Sequence, residues 1–218
     1  MNNIYGEQHR AWQASFDTVA LADRLNEIIV LPEIPDEHKS FIESRDMFFL
    51  TTVDHRGYPT CSYKGGAPGF VQVLDSNTII FPSYDGNGMF LSLGNLSANA
   101  KVGMLFIDFE TPHRLRVHGI ASVDKDASLG AEFVGAEQVV RVNVTEIFVN
   151  CPRYIHQYQR LKTSAYAPQP GRETPPPQWK RIDAVQDVLP VGDRDVAEKL
   201  GGTITPEEYG QLLLKGEA

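Results

Sequence analysis

The hydrophobic pattern changes period along the chain. From about Glu7 to Val30, the positions of Trp12, Phe16, Val19, Ala20 and Leu25 fit one face of a helix, which predicts an amphipathic helix or helix pair. Pro32 and Pro35 interrupt the pattern, and Asp36 to Ser44 reads as a second short helix with Asp36 as its N-cap. From Met47 to Val149 the period shortens to that of strands. The runs MFFLTTV, YPTCSY, FVQVL and TIIF are punctuated by DHRG, GGAPG and DSN, and are followed by KVGMLFIDF, RLRVHGIASV and VVRVNVTEIFV. In the second of these later runs, Leu115, Val117, Ala121 and Val123 alternate with Arg114, Arg116, His118 and Ser122. One face is thus predicted to be buried, and the other to carry solvent or chemistry.

At least six strands in about 100 residues, with one helix-like insertion near Phe90 to Asn99, fit a small closed barrel better than an open sheet, because closure removes exposed edges. The chain then changes character. Tyr166 to Gln178 holds Pro168, Pro170, Pro175, Pro176 and Pro177, which predicts an extended, semi-rigid connector before a weakly helical stretch from Asp193 to Leu214. The expected organisation is a helical segment over 1–40, a barrel domain over 41–160 and a Pro-rich extension with a helical tail over 161–218.

Composition narrows the partners. The chain has 218 residues, 42% hydrophobic and 22% charged, as in an ordinary globular protein. Its 20 Lys and Arg against 28 Asp and Glu give −8, which disfavours a broad grip on nucleic acid or on an anionic membrane. Any bound anion therefore needs a local site. Cys61 and Cys151 form no Cys-x-x-Cys pair and read as free thiols, with Cys151 expected to be a small buried residue. The N-terminus lacks a basic segment followed by an apolar run, and no stretch approaches the roughly 18 apolar residues of a membrane span. A cytoplasmic location is the expectation.

Two segments carry candidate binding chemistry. In Cys61-Ser-Tyr-Lys-Gly-Gly-Ala-Pro-Gly, the side chains of Ser62, Tyr63 and Lys64 stand at a strand end, beside glycines that let a ligand approach the backbone. The alternative is a polar strand end running into a turn. In Tyr84-Asp-Gly-Asn-Gly-Met-Phe-Leu-Ser-Leu-Gly-Asn, Asn87, Ser92, Asn95 and backbone N–H groups stand near a helix start, where an anion is favoured. Gly86-Asn-Gly88 has Leu91 where a dinucleotide-binding loop needs its third glycine, and no P-loop occurs. The histidines show no metal-ligand spacing. Pro152 is suited to open a helix after the last strand.

Joined in order, FFLTTVDHRGYPTCSYKGGAPGFV, FPSYDGNGMFLSLGNL, VGMLFIDFETPHRLRVHGIASV and NCPRYI resemble the pyridoxamine 5′-phosphate oxidase-like flavin-binding split barrels, over about Phe41 to Tyr154. The resemblance implies a mainly β fold: a six-stranded antiparallel split β-barrel with N-terminal helices and an extended C-terminal tail. It also implies a homodimer with flavin mononucleotide (FMN) at its interface, held by Ser62, Tyr63 and Lys64 and, from the later loop, Tyr84, Asn87, Ser92 and Asn95. Arg114 and Arg116 lie on the strand that passes near the flavin ring in related barrels; the other reading is a solvated charged face. The chain has Gly86-Asn87-Gly88-Met89 where pyridoxamine phosphate oxidases place an Arg-Lys pair, and it lacks their terminal Arg and His pattern, so another small-molecule redox substrate is expected. The implied function is an FMN-dependent oxidoreductase. The alternatives are a non-catalytic flavin-binding or stress-related protein, or a barrel holding haem or a deazaflavin.

Overall fold

The computed structural model describes residues 3–124 and 132–218. The chain divides into two compact units, Met1–Thr163 and Ser164–Ala218.

The first unit opens with α1 (Glu7–Ser15), α2 (Val19–Ile29) and α3 (Asp36–Glu43). The N-terminal stretch is thus a helix pair, but its apolar residues are not covered: Trp12 and Phe16 are each 70% exposed, and Ala22 is the one buried residue of α2. Pro35, not Asp36, occupies the N-cap of α3, leaving Asp36 in the first turn, where a carboxylate favours the helix dipole.

Seven strands follow, one for each of the seven runs read from the sequence and one more than the six-stranded barrel expected: β1 (Met47–Val53), β2 (Pro59–Gly65), β3 (Gln72–Asp75), β4 (Thr78–Tyr84), β5 (Lys101–Asp108), β6 (His113–Val123) and β7 (Ala136–Val149). β3 falls within the FVQVL run, and its short hairpin with β4 includes a bulge between Val73 and Asp75. The helix α4 (Leu91–Ala98) joins β4 to β5.

Within the sheet, all described strand pairings are antiparallel, in the order β2-β1-β5-β6-β7-β4-β3. The sheet curls rather than lying flat. In a flat sheet β1 and β4, four places apart, would be about 19 Å from each other. Instead the rings of Phe48 on β1 and Phe81 on β4 meet edge to face at 5.0 Å, and Phe48 also stacks on Phe106 at 5.1 Å. Phe48, Leu50, Ile79, Phe81, Met104, Leu115, Val142 and Ile147 belong to one buried cluster fed by six of the seven strands. Strand pairing does not close the ring, since β2 and β3 are the two edges of the ladder among the described residues.

One glycine is fixed by close approach. A β-carbon at Gly119 would lie 2.6 Å from Val142 Cγ1 and 2.7 Å from the Asn143 carbonyl oxygen, where β6 and β7 shift register between His118 and Gly119. After β7 the predicted helix is absent. Pro152 opens a turn closed by Ile155 N–H donating to its carbonyl at 3.0 Å, and Tyr158 N–H then donates to Phe109 O at 3.1 Å. These non-helical bonds fasten the segment to the β5–β6 turn.

The second unit consists of three short 3-10 turns between Gln178 and Asp193, α5 (Val196–Lys199) and α6 (Pro206–Lys215). Its buried Lys180 donates to Asp193 Oδ1 at 2.8 Å. The start of α6 is a capping box, Thr205 Oγ1 accepting from Glu208 N and the Glu208 carboxylate accepting from Thr205 N. No helix among the described residues is long and apolar enough to cross a membrane.

Candidate functional site

Two contacts fix how α4 lies along β2. Ser92 Oγ, in the first turn of α4, is 3.3 Å from Ser62 Oγ. One turn later, Asn95 Nδ2 donates to Thr60 Oγ1 and to Thr52 Oγ1, each at 3.0 Å, and the two threonine hydroxyls are 2.8 Å apart. Followed backwards from Asn95 to Ser92, α4 advances along β2 from Thr60 to Ser62. Its N-terminus is therefore directed towards Lys64, the next residue on that face.

The start of α4 has the shape of an anion cradle. Phe90 at the N-cap is left-handed, with φ 48 and ψ 30, and Leu91 then enters the right-handed helix. Such a change of hand turns successive N–H groups towards one point. The first helical bond runs from Gly94 N to Phe90 O at 2.7 Å, so the N–H groups of Leu91, Ser92 and Leu93 precede the intrahelical ladder. The helix dipole adds partial positive charge at the same end.

Lys64 supplies a full charge. It pairs in register with the fully buried Phe48 and is half-buried itself. Burial pulls its ammonium below the ordinary lysine range, and among the described residues no carboxylate or hydrogen-bond acceptor compensates it. A cation in this position is stabilised by an incoming anion.

Alternation along β2 separates the predicted triplet. Ser62 and Lys64 share the face turned towards α4, whereas Tyr63 points to the other side, its ring edge-on to Phe49 at 6.1 Å and 64% exposed. Burial, and then the nearby Asp46 carboxylate, raise the Tyr63 phenol above its ordinary range. That other face carries a cross-strand row, Tyr63, Phe49, Leu105, Arg116 and Phe148, read directly from the registers. Arg114 lies on the same face opposite Ile107, half-buried, with its Nε enclosed and lacking an acceptor. Arg116 is exposed.

The candidates thus fall into an inner group (Ser62, Lys64, Ser92, with Asn95 bonded to the threonines) and an outer group (Tyr63, Arg114, Arg116). Tyr84 stands at the end of β4 beyond a bulge, half-buried, its phenol raised by burial. Asn87 is exposed and shapes its own loop, its Oδ1 accepting from Met89 N at 3.1 Å. Neither bonds to the inner or outer group among the described residues.

Three features escape the sequence reading. The Thr52–Thr60 pair that receives Asn95 is one, and no local pattern marks it because the residues lie on two strands. The second is Glu146, whose Oε1 is 2.8 Å from His118 Nδ1; a charge within the apolar run of β7 was the available signal. The third is Cys151, which is exposed rather than buried, its Sγ accepting from Arg153 N at 3.5 Å, because the chain turns outward at Pro152.

Residues 34–151, more than half of the chain, match the family model described as pyridoxamine 5′-phosphate oxidase. No curated protein matches the chain. Among solved structures, it is similar to HupZ of Group A Streptococcus, at 19% identity over 58% of this chain and 99% of that one, with a TM-score of 0.44. It is also similar to HutZ, the heme storage protein of Vibrio cholerae, at 22% identity over 53% and 94% of the two chains with a TM-score of 0.40. An FMN-binding protein from Syntrophomonas wolfei is similar at 14% identity over 64% and 97%, again with a TM-score of 0.40. The antiparallel architecture and the extent of the family match lead to one assignment: the chain belongs to the pyridoxamine 5′-phosphate oxidase-like family.

Proposed function

We propose that the chain is an FMN-binding oxidoreductase that acts as a homodimer on a small molecule other than pyridoxamine phosphate. The observation that carries this reading is the inner group. Lys64, uncompensated, follows Ser62 on one face of β2, and the Ser62–Ser92 hydroxyl pair 3.3 Å apart stands at the end of α4 where the N–H groups of Leu91, Ser92 and Leu93 precede the helical ladder. A terminal phosphate matches this donor set, since it presents several acceptor oxygens and up to two negative charges. The net charge of −8 makes such a local cluster necessary for an anionic ligand.

When bound, the isoalloxazine ring supplies the electron or hydride transfer. The chain's own residues hold and orient. Lys64, Ser62 and Ser92 take the phosphate, Asn95 keeps α4 in place, and the half-buried Tyr84 phenol and the Asn87 loop border the ribityl chain. From the outer face, Arg114 and Arg116 offer positive charge to a ring that becomes anionic on reduction.

The test combines a spectrum with one substitution. The purified protein is expected to show flavin absorption bands and to release a species of FMN mass on denaturation. Lys64→Ala is expected to weaken FMN about 10- to 100-fold, the worth of a charge-assisted bond of about 1.5–3 kcal/mol. Riboflavin, which lacks the phosphate, should bind within twofold of its original affinity. Equal weakening of both ligands removes Lys64 from the phosphate site, and a colourless protein that also refuses added FMN removes the cofactor.

A further inference from the structure

The turn after β7 breaks a local rule without a packing return. Pro152 to Ile155 closes with a 3.0 Å bond from Ile155 N to Pro152 O, and Tyr154, the third residue, has φ 72. A turn of this type asks for glycine or asparagine at that position, because a β-carbon is strained there. Tyrosine brings a bulky ring instead and does not bury it: Tyr154 is 87% exposed. Its one described ring contact is with the adjoining Arg153, whose guanidinium carbon is 5.9 Å from the ring centroid. Strain at an exposed aromatic side chain points to function rather than folding.

The surroundings are cationic. Residues 151–162 contain Arg153, His156, Arg160 and Lys162 and no acid, in a chain that is acidic overall. Arg160 is engaged by Asp46 at 2.6 Å, while Arg153 has no carboxylate partner among the described residues. The segment is held in place. On one side β7 ends at Val149, paired with Leu115, which brings Asn150 beside Arg114 at the end of the ladder. On the other, Tyr158 N–H donates to Phe109 O at 3.1 Å and Arg160 N–H to Glu110 Oε1 at 3.0 Å. The turn thus carries Arg153 and Tyr154 three and four residues beyond Asn150, which follows the ladder's last pair beside the half-buried Arg114.

We propose that Arg153 and Tyr154, with Arg114, form a binding site for a planar conjugated carboxylate that is the substrate of the flavin site; this rests on the FMN reading above. A guanidinium fork pairs with a carboxylate through two parallel hydrogen bonds, and a tyrosine ring stacks on a flat conjugated body at little entropic cost. The strained turn holds both groups at adjacent positions on a rigid support.

The experiment uses 2-naphthoate and its neutral analogue 2-naphthamide as probes of the flavin-loaded protein, with FMN affinity and dimer mass measured alongside. Naphthoate is expected to bind at least tenfold more tightly than naphthamide, and Arg153→Met to abolish that preference. Tyr154→Gly is expected to raise the urea midpoint of unfolding, since the strain is released, while weakening naphthoate about tenfold and leaving FMN within twofold. Tyr154→Phe should keep the probe. The proposal is overturned if both probes bind alike, or if Tyr154→Gly is more stable and still binds naphthoate fully. It is equally overturned if that variant splits a dimer into monomers, which makes the ring a subunit contact. Failure of the cofactor reading shows separately: a protein that takes up no FMN loses both the flavin and this substrate assignment, whereas one that holds FMN with no naphthoate preference loses only the latter.

Discussion

His38 is 8% exposed on α3, and its Nδ1 is buried without a hydrogen-bond partner. Burial lowers its pKa, the Glu37 carboxylate 3.8 Å from Nε2 works in the opposite direction, and His113 on β6 lowers it again. The sign follows from linkage. The unfolded chain binds a proton near the ordinary value of 6.5 while the folded chain resists it, so the stability due to neutral His38 is complete above that value. It is lost as the pH falls through the depressed folded value. Urea unfolding of the wild type from pH 8 to pH 5 should therefore show decreasing stability below about pH 6.5. His38→Leu should flatten that part of the profile. An unchanged slope in the variant assigns the titration to other groups.

At the scale of elements, α4 and β2 act as one unit joined by Asn95. The amide donates to both threonine hydroxyls from an 8% exposed position, which gives it a positioning role between the helix and the two strands. Asn95→Ala removes one buried and one part-buried bond and should destabilise the fold by about 1–3 kcal/mol. Because α4 then loosens as a whole, FMN should weaken and its preference over riboflavin should narrow, but less than in Lys64→Ala, since the Lys64 charge remains. Loss of that preference in Asn95→Ala would place the amide on the phosphate instead. The sequence shows this unit only partly. Strand alternation and the turn residues made the β grammar readable, and the glycines with Ser62, Lys64 and Ser92 marked the candidate anion site. What stayed hidden depends on contacts between distant segments: the Thr52–Thr60 receptor for Asn95, which joins two strands to α4. The apolar spacing of Trp12, Phe16 and Leu25 was also legible as helix, but periodicity reports a face and not what covers it.

For the first unit as a whole, the exposed apolar residues bear on assembly. Trp12 and Phe16 are each 70% exposed, Tyr63 is 64%, and Met89, Phe90 and Leu91, which lead into α4, are 62%, 60% and 51% exposed. Soluble monomers seldom leave this many large side chains uncovered, and a two-fold pair can cover one set with its own copy. The residues around the α4 cradle are among them, so in the proposed dimer the same contact that buries Met89 and Phe90 also encloses the cofactor. Binding and association are then linked: FMN should tighten the dimer, and dilution should weaken FMN. Light scattering after gel filtration is expected to give twice the 24.3 kDa chain mass, with the dimer persisting to lower concentration when FMN is added. Phe90→Asp, which places a charge in that contact and beside the phosphate, should lower both the dimer fraction and FMN affinity. A monomer that binds FMN one-to-one with unchanged affinity over a hundredfold dilution shows instead that one chain completes the site, and that the exposed apolar residues serve another contact.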